Sequence, residues 1–132
     1  MHRLVLLLPL ALAGSLAFAA PAQADPEYDR CSEAARSNPD FSACGVAMIE
    51  RREAELNRVW KLANDGLHPA VKQALLEEQR AWVAYKDKSC RTWTTGQLGR
   101  EGQVIHFYVC RADVIDQRIN FLEDFGNSGE PE

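Results

Sequence analysis

The sequence predicts an all-α fold, a small disulfide-stapled bundle of one short N-terminal helix plus three long antiparallel helices. Three observations carry that expectation. Apolar residues recur at three- and four-residue spacing rather than in alternation, the period of an amphipathic helix. Turn formers gather at residues 37–40, 64–69 and 94–99, and nothing between those breaks reads as a strand. Four cysteines, Cys31, Cys44, Cys90 and Cys110, are distributed along the helical part.

The chain opens with a segment that does not belong to the fold. Arg3 supplies a positive start, residues 4–20 are apolar apart from Pro9, Gly14 and Ser15, and Ala22-Gln23-Ala24 is a small-x-small cleavage motif ahead of Asp25. That pattern is a signal peptide over residues 1–24, too short and too soon interrupted by Pro21 for a membrane anchor. No cysteine stands near the cleavage point for lipid attachment, so the mature form is expected to be periplasmic or secreted, without a membrane span. Losing Arg3 leaves 14 Lys+Arg against 19 Asp+Glu, a net charge of −5. An acidic chain of this kind is a poor nucleic-acid binder.

Residues 25–126 then form one small helical domain, with 127–132 as a flexible polar tail. The first helix is expected over 27–37. The second runs over 42–64 with Ile49, Leu56, Val59, Trp60 and Ala63 on one side, and Asn64 and Gly66 stop it. The third starts at Pro69, a favoured first-turn residue, and runs to residue 93 through Val71, Leu75, Gln79, Trp82, Lys86 and Cys90. The fourth covers 101–125 through Val104, Phe107, Val114, Ile115, Ile119 and Leu122.

Short connections make consecutive long helices antiparallel. Folding the chain about its turns brings Cys44, Cys90 and Cys110 to one end of the bundle. In an exported chain an even cysteine count favours two disulfides over metal or redox chemistry; there is no Cys-x-x-Cys, and His68 and His106 lack ligand-like spacing. Helix ends alone permit more than one pairing. Shorter loops favour Cys31–Cys44 with Cys90–Cys110, each worth about 3 kcal/mol in the loop-entropy model; Cys44–Cys90 with Cys31–Cys110 is the alternative.

The same folding places Arg118, which interrupts an apolar stripe, level with Trp82 and with Glu53. A buried guanidinium needs a carboxylate and further hydrogen bonds, which makes Glu53 the expected partner and the Trp82 ring a face for the cation. Asn57 and Gln79 fall close enough to bridge two helices through their amides. This polar layer of Glu53, Asn57, Gln79, Trp82 and Arg118 is expected to be structural, because no nucleophile accompanies it. Lys86-Asp87 is expected to be a surface or interhelical ion pair. No phosphate-binding loop, catalytic constellation, metal set or cofactor motif is present, so the residues describe a binding or structural module and not an enzyme.

One stretch, residues 79–90, combines Gln79, Trp82, Asp87 and Cys90 in a Gln-x-x-Trp…Asp-x-x-Cys pattern. Together with Cys31, Cys44, Glu55-Leu56-Asn57, Cys110, Arg118 and Leu122, it resembles the N-terminal domain of the LprI-type lysozyme-inhibitor family over residues 31–122. Trp60 stands where the family commonly has Tyr, and Lys86 where Arg is frequent. The resemblance implies a helical exported protein that binds and inhibits lysozyme-like muramidases and so protects peptidoglycan. The negative domain would attract a cationic lysozyme, and the loop over 95–103 is either a plain connector, the reading its glycines favour, or the inhibitory contact, with Arg100 as its candidate residue. The alternative is an envelope structural or assembly module that binds another protein and inhibits nothing. N-terminal sequencing of exported protein should begin at Asp25; a chain that keeps Met1 in the membrane fraction would contradict the leader assignment.

Overall fold

The computed structural model describes residues 25–95 and 99–128. The leader, residues 96–98 of the expected inhibitory loop and residues 129–132 of the expected tail lie outside them. The described residues form five helices and no strand: α1 Pro26–Ala34, α2 Asn38–Asn64, α3 Pro69–Lys88, α4 Arg91–Thr95 and α5 Arg100–Ser128.

Local chemistry sets where each helix starts. Asp25 caps α1, its Oδ1 accepting the Tyr28 N–H at 2.9 Å with Pro26 in the first turn. Helix α2 begins four residues earlier than the sequence reading placed it. Ser37 Oγ accepts the Asp40 N–H at 3.3 Å and Asp40 Oδ2 accepts the Arg36 N–H at 3.0 Å. This reciprocal cap turns the Ser-Asn-Pro-Asp run into a helix start rather than a loop. His68 Nδ1 caps α3 by accepting the Ala70 N–H at 3.3 Å. Between α2 and α3, Gly66 supplies the left-handed residue of the turn at φ 74°.

The expected third helix is not continuous to Trp93. It breaks after Lys88, and Cys90 takes a left-handed φ of 67°, the one such non-glycine residue among those described. Cys90 is held there by its disulfide to Cys110 at a Cα–Cα distance of 5.7 Å. The break leaves α4 as a separate short helix, tied to α5 by that bond and by the Trp93 ring stacked on His106 at 4.8 Å. Two further boundaries differ: α1 ends at Ala34, and α5 continues through Asn127 and Ser128, where a tail was expected.

Both disulfides follow the short-loop pairing, Cys31–Cys44 and Cys90–Cys110. The first clips α1 antiparallel to the N-terminal half of α2, and Arg51 adds ion pairs to Asp25 at 2.9 Å and Glu27 at 3.1 Å.

The helices α2 and α5 are parallel and close. Gly45 meets Tyr108, Arg52 meets Asp116 and Ala63 meets Gly126, a near-constant offset along both helices. Helix α3 runs antiparallel to both, joined to α2 through Glu53–Lys86 and to α5 through Glu78–Arg118 and Asp87–Arg111. The core is one cluster of Leu56, Val59, Ala63, Leu75, Ile115, Ile119 and Leu122, with Ile115 and Leu122 wholly buried. Each large side chain there contributes about 1.5–3 kcal/mol by leaving water. Only Leu75 of α3 is fully buried, so α3 is the least deeply seated of the long helices.

The two turn-and-seam glycines separate close packing from backbone conformation. A Cβ at Gly45 would fall inside the Tyr108 ring, whereas one at Gly66 meets open space but must keep a positive φ. Gly45→Ala should therefore lower unfolding stability by about 2–3 kcal/mol, and Gly66→Ala by about 1 kcal/mol. Denaturant melts of the two variants check the order; a harmless Gly45→Ala would mean that the α2–α5 seam is loose.

Candidate functional site

The polar layer sits between α3 and α5. Arg118 is 5% exposed although it carries a charge. Its Nε donates to Gln79 Oε1 at 2.8 Å and its Nη1 to Glu78 Oε1 at 2.5 Å. The guanidinium lies against two rings, with Cζ 4.7 Å from the Phe121 centroid and 5.9 Å from that of Trp82. Such stacking suits a planar, weakly hydrated cation in an apolar seam.

Glu53, expected as the partner of Arg118, is engaged elsewhere. Its Oε1 accepts from Lys86 Nζ at 2.7 Å, and Lys86 also lies 5.7 Å from the Trp82 ring. Level along the bundle axis is thus not the same as facing: Glu53 and Arg118 share a height, but Trp82 and Lys86 stand on the face that Glu53 reaches. Asn57 is exposed, and Gln79 turns its carbonyl to Arg118, so the expected Asn57–Gln79 bridge is absent. Trp82 is placed as expected, half-buried against the core and flanked by two cations. Lys86 and Asp87 do not pair with each other; each reaches a different neighbouring helix.

Sequence reasoning missed Glu78, one position from the Gln79 that it did name, and Arg111. The Arg111 guanidinium donates to the Lys86 carbonyl at the end of α3, sits 3.7 Å from Asp87 and lies over the Phe107 ring at 5.6 Å. Arg111 therefore caps the carbonyl end of α3, where a cation is favourable. The signal was its position next to Cys110, which the disulfide fixes beside that helix end.

A second, half-buried charge pair joins α2 to α5. Arg52 pairs with Asp116 at 3.0 Å. Burial pushes the Asp116 carboxyl above the ordinary carboxylate range; Arg52 opposes this, and Asp113 and Asp25 add to it. For Asp25, burial also works upward, but the Tyr28 N–H and the Arg51 guanidinium outweigh it and hold the carboxyl below its usual value. The stability that Asp25 contributes is therefore present at neutral pH and is lost as acid protonates it below its unfolded value.

Arg100, expected on a loop, is the first residue of α5. It is exposed and lines an open groove of about 260 Å3 with Ser42, Thr94, Gln103, Phe107 and Tyr108, at the end of the bundle where Cys44, Cys90 and Cys110 gather. Three elements frame this groove. Tyr108 is seated by its contact with Gly45, and α4 is fixed by the Cys90–Cys110 bond. Hydroxyls, an amide, a guanidinium and two rings can recognise a partner's polar and charged groups. Among the described residues no group of His, Cys, Asp or Glu is arranged to hold a metal ion. No described helix is long and apolar enough to cross a membrane.

The described residues form a disulfide-stapled helical module with an internal polar layer and shallow surface grooves. The chain belongs to the lysozyme inhibitor LprI family, whose model matches residues 31–122. An uncharacterised protein of Rhizobium meliloti (strain 1021) is 27% identical over 135 aligned residues, covering 91% of this chain and 95% of the relative. No solved structure matches the chain. The matched span includes both disulfides and the whole Arg118 layer.

Removing Arg118 and removing Glu53 should have unequal costs. Arg118→Ala empties a buried, stacked position and strands the Gln79 carbonyl, on the order of 3 kcal/mol. Glu53→Ala removes a partly exposed ion pair, about 1 kcal/mol or less. Equal losses in chemical denaturation would return Glu53 to the buried layer.

Proposed function

We propose that this protein is an exported inhibitor of lysozyme-type muramidases, periplasmic or secreted, which protects peptidoglycan by binding the enzyme. Membership of the lysozyme inhibitor LprI family carries the reading. The family is defined by inhibition rather than catalysis, which agrees with a protein that acts by binding. Two disulfides and the apolar leader expected from the sequence support an extracytoplasmic address.

Electrostatics supports a cationic partner. The mature chain's net charge of −5 steers encounter with a basic enzyme over a screening length of about 8 Å at physiological salt. We assign the contact to the groove at the disulfide end, where Arg100, the charged residue of the lining, would meet acidic groups of the enzyme, while the net negative charge of the whole mature chain favours encounter with a basic one. Arg118 is buried and takes part only by keeping α3 in place.

The test is lysis of peptidoglycan by a cationic lysozyme with and without the mature protein. Inhibition is expected, weakening as salt is added. Arg100→Ala should reduce it with an unchanged melting temperature, whereas Arg118 variants should lose it only in proportion to unfolding. No inhibition of any lysozyme class at micromolar protein and low salt would reject this function and leave the envelope-assembly reading.

A further inference from the structure

A second groove lies at the opposite end of the bundle, between the last turns of α2 and the first half of α3. It measures about 400 Å3 and is lined by Trp60, Lys61, Asn64, Asp65, Lys72 and Leu76, within the size range of small-molecule sites. Its walls combine four kinds of chemistry. Trp60 and Leu76 are half-buried and give it an apolar floor. Lys61 and Lys72 are exposed, and among the described residues neither forms an ion pair, a state they share with Arg30, Arg36, Arg80, Lys88, Arg91 and Arg100. Asn64 uses one amide hydrogen on the Trp60 carbonyl at 3.2 Å, which leaves the other hydrogen and its own carbonyl oxygen for a ligand. Asp65 is a pure acceptor on the rim.

We propose that this groove binds a sugar that carries a carboxylate. Two lysines against the one carboxylate of Asp65 leave the lining with a net charge of +1, which favours a singly charged anion, and the lysines act as point charges that suit a single carboxylate. Asp65 disfavours a multiply charged ligand such as a phosphate monoester but accepts hydrogen bonds from hydroxyl groups. The indole face and Leu76 take the apolar C–H face of a pyranose ring. The turn is held in shape by the Asp65 N–H bond to the Leu62 carbonyl at 3.2 Å, by Gly66 and by the His68 cap, so little ordering is required on binding. This site goes beyond lysozyme inhibition and gives the protein a direct hold on acidic glycan.

The experiment is a titration of the mature protein followed by 1H–15N NMR, with the Trp60 indole N–H and the Asn64 side chain as reporters and no lysozyme present. The probes are N-acetylmuramic acid, the N-acetylglucosaminyl–N-acetylmuramic acid disaccharide, neutral N-acetylglucosamine oligomers, and lactate alone. Both carboxylated sugars should shift the Trp60 and Asn64 signals to saturation, and the disaccharide should bind more tightly if the natural source is polymer rather than free sugar acid. Neutral oligomers and lactate should bind at least about tenfold more weakly. The double variant K61Q/K72Q should lose binding of the acidic sugars by a similar factor with an unchanged melting temperature. Absence of shifts with either acidic sugar, equal response to lactate, or binding untouched in K61Q/K72Q would each overturn the proposal. Because no enzyme is in the assay, its result is independent of whether lysozyme is inhibited.

Discussion

Two parallel helices with no direct connection have to be brought together by something other than a turn, and here that is the small-residue seam between α2 and α5. Gly45 admits the Tyr108 ring and Ala63 meets Gly126, and Ala112 of α5 is buried as well. Close backbone approach lets Leu56, Val59, Ile115, Ile119 and Leu122 interlock in one cluster. Everything else is fastened to this pair. Helix α1 is clipped to α2 by a disulfide and the Arg51 ion pairs, and α4 is clipped to α5 by a disulfide and one ring stack. In a mature chain of this size, whose core is modest, covalent clips on the short helices supply what apolar burial does not.

Helix α3 is attached by a different principle. Apart from Leu75 and the half-buried Val71, Leu76 and Trp82, it reaches its neighbours through polar groups: Glu78 and Gln79 to Arg118, Lys86 Nζ to Glu53, and the Lys86 carbonyl to Arg111. Hydrogen-bonded charges are directional where apolar contacts are not, so they fix the register of a helix that buries little surface. Trp82 links the two halves of this attachment because Lys86 and Arg118 both lie over its ring. The Gln-x-x-Trp…Asp-x-x-Cys run thus has a physical reading: each named residue ties α3 to another helix, and Cys90 ends it.

The architecture was legible because helix period, turn composition and cysteine count all point the same way. Axial position was legible too: folding the chain about its turns brought Cys90 to Cys110 and Arg118 to the level of Trp82, as the helices have it. What that construction lacks is azimuth. It gave Arg118 to Glu53, when Glu78 and Gln79 stand on the face that α5 presents and Glu53 is taken by Lys86. Local caps were the other gap. Ser37 and Asp40 read as turn residues in isolation and become a helix start only through their reciprocal bonds. The break at Cys90 carried no local signal, since a cysteine in left-handed conformation is held by a bond to a residue in another helix. Arg100 moved from loop to helix for a similar reason: the Gly99 carbonyl accepts the Gln103 N–H at 2.9 Å, which closes the first turn of α5 around it.

The parallel arrangement of α2 and α5 also decides how the two grooves relate. Ser42 marks the disulfide-end groove on α2, and Lys61 marks the groove near the C-terminal end of the same helix. Nineteen residues of helix place them about 28 Å apart at 1.5 Å per residue. That exceeds the screening length at physiological salt, so a charge bound at one end is weakly felt at the other. No lining residue is shared, and substitutions in one groove should add to those in the other without coupling. The two grooves have unlike linings, so the two proposals above do not compete for the same residues. One groove offers a guanidinium among hydroxyls and rings, and the other offers two ammonium groups, a carboxylate and an indole. Under those two proposals, one molecule would hold an acidic sugar and a lysozyme together, which raises the local concentration of inhibitor wherever such a sugar is exposed.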